Sequence, residues 1–209
     1  MSRKQIVLPP RRYFLLNKPA GCVSACKDAE HKTVMDCFPH EEREGLFPLG
    51  RLDKNTEGVL LITDDGKLNH RLLDPENHVE KEYLLWAAGT LGAGELEQLR
   101  CGVHLKGVPA PTRPAKVEVI KRATLAEIPE PLFENRVALA AEQPDMPAVQ
   151  LRLWLTEGKR HQVKRMLEAV GCTVVWLRRE AFAGICIDEH LAPGAYRPLT
   201  DVELEGLLK

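Results

Sequence analysis

The sequence lacks any long apolar run. Its apolar stretches, among them Val59 to Ile62 and Ala181 to Ile187, are far short of the ~20 residues that span a bilayer. The first twenty residues hold Arg3, Lys4, Arg11, Arg12 and Lys18 around Pro9 and Pro10, with no apolar core of signal-peptide length. These absences predict a cytosolic protein without a membrane partner. No short repeat runs through the chain, and Gly and Pro number only 15 each, which excludes collagen, coiled-coil and low-complexity architectures.

No C-x-x-C pair exists among the six cysteines, which removes thioredoxin-like motifs and paired zinc ribbons. Cys22, Cys26, His31, Cys37 and His40 fall close enough together to supply four zinc ligands in principle. Their spacing does not repeat a tight pair, so the preferred reading is a loop with scattered thiols and no metal. Net charge is also nearly absent, at −1. The neutral total hides segregation. Residues 1–30 carry six basic and two acidic residues, and residues 151–180 seven and three. Residues 127–145 carry five acidic residues and one arginine. Two basic segments brought together would make a positive face suited to a polyanion.

What remains is a 209-residue chain with 44% apolar residues, enough to bury a core unaided. Strands are expected at Tyr13–Asn17, Val59–Thr63, Val79–Ala87, Lys116–Ile120, Val149–Leu155 and Thr173–Phe182. Short helices are expected at Thr33–Phe38, after the Asp65-Gly66 turn through Leu73, and at Glu95–Arg100. The clearest helix is Lys159–Val170, where Val163, Met166, Leu167 and Val170 share one face. A last helix begins at Thr200 with Glu203 completing a capping box. Residues 121–148 read as an acidic, proline-rich excursion, with a strand at Arg136–Leu139. Strands without regular helical crossovers predict an α+β fold with a mixed, mostly antiparallel sheet and flanking helices. One domain over 1–209 is expected.

Three segments can carry chemistry. Gly50 to Gly58 (Gly-Arg-Leu-Asp-Lys-Asn-Thr-Glu-Gly) is a polar loop pinned between apolar Phe47–Leu49 and Val59–Ile62, although Asp53 and Thr56 also suit an ordinary turn. Lys81-Glu82-Tyr83 sits in a strand, so Lys81 and Tyr83 share a face that can hold a phosphate and stack a base. Glu157 to Met166 opens the amphipathic helix with Lys159, Arg160, His161, Lys164 and Arg165, a phosphate-binding arrangement or simply a solvated face.

In order, these segments resemble the RsuA-type pseudouridine synthases, which isomerise single uridines in ribosomal RNA. The likeness runs from Tyr13-Phe14-Leu15-Leu16-Asn17-Lys18-Pro19 through the three segments to Leu191–Leu199. It implies Asp53 as the catalytic aspartate, Tyr83 as the tyrosine that packs on uracil and handles the C5 proton, and Lys164 as the cation paired with the aspartate. Arg51, Lys81, Arg160, His161 and Arg165 are the expected RNA contacts. The reaction breaks N1–C1′ and joins C5 to C1′ with no redox change, so no cofactor is expected. A carboxylate kept ionised away from water needs a nearby cation, and the base must leave its stack. Many members begin with a small RNA-binding module, whereas here the catalytic region starts about a dozen residues in. The expected partner is ribosomal RNA or an assembly intermediate, met by a monomer. His161, Val163 and Lys164 with Pro193–Leu199 resemble the small-subunit enzyme, while the short N-terminus favours a large-subunit uridine. A non-catalytic assembly factor on the same fold has no need of Asp53, Tyr83 and Lys164 together.

Overall fold

A computed structural model describes residues 10–209; the basic positions Arg3 and Lys4 lie outside them. Among the described residues, nine strands form one sheet. They are β1 (Tyr13–Lys18), β2 (Phe47–Leu49), β3 (Glu57–Thr63), β4 (Lys81–Ala88), β5 (Lys116–Thr124), β6 (Pro147–Leu155), β7 (Thr173–Phe182), β8 (Ile185–Cys186) and β9 (Tyr196–Pro198). The main order is β5-β6-β4-β7-β3-β1-β9, with β2 on β3 and β8 on β7. All strand pairings are antiparallel but one: β3 runs parallel to β7, joining Glu57 to Arg178 and Gly58 to Arg179. The sheet is thus mixed and mostly antiparallel, as expected.

That short parallel seam divides the sheet into two groups. In the first, α2 (Ala93–Cys101) and α4 (Gln162–Ala169) lie on one face. There Leu96 and Leu99 of α2 and Met166 and Leu167 of α4 join Leu85, Leu151, Leu153 and Leu177 in one buried cluster. Burying each such side chain stabilises the fold by ~1.5–3 kcal/mol. In the second group, β3 reads Val59-Leu60-Leu61-Ile62 because it is buried on both faces. One face meets α1 (Gly66–Leu73) and α5 (Asp201–Leu208) through Leu68, Leu72 and Leu207. The other packs on Met35, Phe38, Leu46 and Leu52. The helix starts follow side-chain chemistry: Asp65 accepts from the amides of Lys67 and Leu68, and Thr200 with Glu203 forms the expected capping box.

Three expectations change. Arg136–Leu139 is not a strand: α3 (Val137–Glu142) is a helix there. Its alanines favour helix, and a segment of four residues cannot be assigned by period. The excursion itself narrows, because 121–124 complete β5 and 147–148 begin β6. It covers Trp86 and Trp176 on the outer face, with Leu125 buried against them and Leu132, Leu139 and Met146 packed around. Glu130 accepts the Trp86 indole N–H at 2.7 Å. Finally, α4 begins at Gln162 rather than Lys159, because His161 sits in the left-handed region at φ 52°.

Candidate active site

The loop before β3 is bracketed by Gly50 and Gly58, both at positive φ, and is held from beneath. Lys18 at the end of β1 is fully buried. Its ammonium donates to the carbonyl oxygens of Pro19 (2.9 Å), Lys54 (3.1 Å) and Thr56 (2.8 Å). Burial pushes its proton affinity below the usual lysine range. Ser24 exchanges hydrogen bonds with the Leu52 backbone, donating to its oxygen and accepting from its N–H, both at 3.0 Å. The loop backbone is therefore fixed by buried polar groups while the Asp53 side chain stays half-buried.

At Asp53 the two groups of the sheet meet. Lys164 on α4 donates from Nζ to Oδ2 at 2.8 Å, across 111 residues of chain. His161 Nε2 stands 3.6 Å from Oδ1. Tyr83 on β4 packs against hydrophobic clusters from both groups and lines the same cavity as Asp53, with Leu52, Thr56, Glu157, Gln162, Val163 and Leu177. That cavity is small, about 60 Å³. An adjoining recess is lined by Val23, Ser24, Arg51, Lys54, Arg160 and His161, so the mouth is cationic. The Thr56 hydroxyl is buried without a partner among the described residues, a polar group free for whatever enters.

The expected residues divide. Asp53, Tyr83, Lys164, Arg51 and His161 line the cavity, and Arg160 lines its mouth. Lys81 and Arg165 do not. Lys81 donates to the Val79 carbonyl oxygen at 2.6 Å and lies over the Phe182 ring; burial, helped by nearby Arg179, pushes its ammonium down to about 8. Arg165 donates to the carbonyl oxygens of Lys106 and Arg160. Both side chains brace backbone.

Other residues at the site carry no obvious local signal. Phe133, from the excursion, is buried, and Lys164 Nζ lies 4.8 Å from its ring centroid. Its N–H donates to the Val175 carbonyl oxygen at 2.8 Å, on the part of β7 that β3 leaves unpaired. Glu157 accepts from the Arg113 N–H (3.0 Å), from Gln162 Nε2 (2.6 Å) and from Lys159. Burial pushes its carboxyl up, but those donors outweigh it and hold it below the usual range. The fully ordered polar bracket shapes the loop into α4. Among the described residues no cluster of three or more His, Cys, Asp or Glu has metal-binding geometry; His31 instead meets Asp28, and Cys26 the Leu46 carbonyl. No helix among them is long and apolar enough to cross a membrane.

An aspartate gripped by a lysine, an aromatic wall and a cationic mouth suit a reaction on a nucleic-acid base removed from its stack. Comparison with known proteins agrees. The RNA pseudouridylate synthase family model matches residues 12–169. An uncharacterized RNA pseudouridine synthase of Bacillus subtilis, YtzG, is 40% identical over 93% of this chain and 72% of its own length. The ribosomal small subunit pseudouridine synthase A of Escherichia coli (strain K12) is 39% identical over 94% of this chain and 74% of its own. A crystal structure of a pseudouridylate synthase superposes with a TM-score of 0.79 at 35% identity, covering 96% of this chain and 75% of that one. With more than half of the chain inside the family model and the same fold around the Asp53 cleft, this chain belongs to the RNA pseudouridylate synthase family, enzymes that isomerise uridine to pseudouridine.

Proposed function

We propose that this chain isomerises a specific uridine of small-subunit ribosomal RNA, using Asp53, Tyr83 and Lys164 within one catalytic domain. The observation that carries the reading is the 2.8 Å Lys164–Asp53 pair at the floor of a cavity lined by Tyr83. The name of the Escherichia coli relative supports the choice of ribosomal subunit.

The chemistry follows from these groups. Lys164 holds the Asp53 carboxylate in place from 2.8 Å as RNA covers the cleft and removes water. The carboxylate then acts at the ribose, either attacking covalently or removing a ribose proton, while the N1–C1′ bond breaks and N1 takes the electron pair. Tyr83 offers a face on which the freed uracil stays stacked but can turn in its plane. C5 then bonds to C1′ as the Asp53 carboxylate leaves that carbon or returns the ribose proton it took; C5 loses its proton, and N1 gains one. Atoms and electrons balance without an external group. Arg51, Arg160 and His161 meet the phosphates flanking the extruded nucleotide.

The test is to map pseudouridine in both ribosomal RNAs from cells with the gene, without it, and with Asp53→Asn. Loss of one small-subunit site, restored only by intact Asp53, is the expected result. Loss of a large-subunit site instead replaces the substrate, and restoration by Asp53→Asn refutes the role of Asp53. In vitro, Asp53→Asn should reduce turnover at least ~10⁴-fold with RNA affinity nearly unchanged.

A further inference from the structure

Behind Tyr83 lies a charge that the reaction so far described does not use. Arg179 on β7 is 3% exposed. It stands directly opposite Tyr83 in the β4–β7 ladder, next to a bulge that shifts the register between Glu82 and Tyr83. Residues directly opposite in an antiparallel pair have Cβ atoms only ~4.5–5.5 Å apart. Its Nε donates to the Val59 carbonyl oxygen at 2.8 Å, and its guanidinium lies 4.7 Å from the Phe182 ring centroid. Nη2 is buried with no hydrogen-bond partner among the described residues, and no carboxylate there forms an ion pair with this arginine. Burial works against its charge, and the group acting to hold that charge is Tyr83.

A buried guanidinium without a counter-ion is costly unless something uses it. Strand bracing explains only the Nε bond. The residue directly across the ladder is Tyr83, at the wall of the cavity, while the adjacent arginine, Arg178, instead pairs with Glu180.

We infer that Arg179 is a positioning residue for the C5 proton step, holding the Tyr83 oxygen where it accepts the C5 proton. This rests on the reading of Tyr83 proposed above. After C5 has bonded to C1′, C5 carries both that bond and its hydrogen, and N1 is doubly bonded to C6. The C5–H bond breaks and its proton goes to the tyrosine oxygen. Its electron pair forms C5=C6, the C6–N1 π pair returns to N1, and N1 takes a proton from solvent. Tyr83 releases its proton to solvent to reset. The guanidinium touches neither ribose nor uracil, so it affects this step and not the earlier bond break.

The experiment uses single-turnover kinetics of the full chain on transcribed small-subunit ribosomal RNA containing uridine, C5-deuterated uridine or 5-fluorouridine. 5-Fluorouridine has no C5 proton to lose, so its consumption reports the earlier steps alone. Arg179→Met should slow uridine conversion ~10²-fold, enlarge the C5 deuterium isotope effect over the parent's, and leave 5-fluorouridine consumption largely unchanged. Arg179→Lys should restore part of the rate. If Arg179→Met does not fold, Arg179→Lys compared with Tyr83→Phe and their double variant carries the test: the double variant should be no slower than Tyr83→Phe alone. Equal slowing of uridine and 5-fluorouridine without an isotope effect would mean that Arg179 only braces strands, and fully additive losses would say the same. A Tyr83→Phe protein with no change in the isotope effect would instead overturn the role of Tyr83, and this inference with it.

Discussion

Replacing Gly58 with alanine tests whether the seam between β3 and β7 builds the site. Gly58 has φ 99°, and a Cβ there would lie 2.2 Å from the Arg179 carbonyl oxygen and 2.9 Å from both the Arg179 nitrogen and Arg178 Cγ. Two of these three atoms are backbone, so no rotamer change relieves the overlap. The chain must leave positive φ or push β7 away. Backbone strain of this kind costs ~1–3 kcal/mol, and separating the strands also loses the charged hydrogen bond from Arg179 to Val59, ~1.5–3 kcal/mol. The sum is about 2.5–6 kcal/mol, which for a chain of this size lowers Tm by roughly 5–24 °C. Urea unfolding followed by circular dichroism measures the loss. Gly66→Ala is the control, because its added Cβ meets nothing within 4 Å. Activity should fall further than stability alone predicts, since Asp53 precedes the seam and Tyr83 follows it. If Gly58→Ala stays within ~0.5 kcal/mol of the parent, the range of an innocuous surface substitution, and keeps full turnover, the seam does not set the geometry of the cleft.

Lys164→Met removes the ammonium 2.8 Å from Asp53 while keeping the aliphatic stem, and single-turnover rates should fall ~10²–10³-fold. Phe133→Ala empties the buried site against which Lys164 lies; it should cost ~3–5 kcal/mol in urea unfolding and lower the rate as well. Acid stability gives a separate check. Arg197, by its bidentate hydrogen bonds above all, holds the Glu203 carboxyl at about 2, below its ordinary 4.5. The stabilisation from this pair is therefore complete above pH 4.5 and fades as pH falls toward about 2. Arg197→Ala should lose on the order of 1 kcal/mol at pH 6, and its urea midpoint should converge on the parent's near pH 2.

How far the sequence could be read depended on the distance over which each feature is encoded. β1, β3, β4 and β7 were legible because alternation and β-branched runs are local properties. The apolar stripe of α4 was legible for the same reason, but its start was not: the left-handed turn at His161 follows from the Glu157–Gln162 bracket, not from helix propensity. β2, β8 and β9 are too short for any periodic signal. The Asp53–Lys164 pair spans 111 residues and was anticipated only through family resemblance, since no spacing rule joins residues that far apart. Arg179 and Lys18 were invisible as buried cations. Arg178 and Arg179 are adjacent and chemically identical, and only strand register decides which of them faces Tyr83. The acidic composition of the excursion gave no hint that its Phe133 would reach Lys164.

The parallel seam has a mechanical consequence. It behaves as a rivet between two rigid blades: one carries Tyr83 and Lys164, the other follows the Asp53 loop, and only Glu57 and Gly58 of β3 are laddered to β7. A small rotation about such a rivet opens or closes the jaws while every ladder inside each blade remains intact. Mild denaturant should therefore silence the enzyme before circular dichroism registers unfolding, with Arg51 on one side of the rivet and Arg160 on the other.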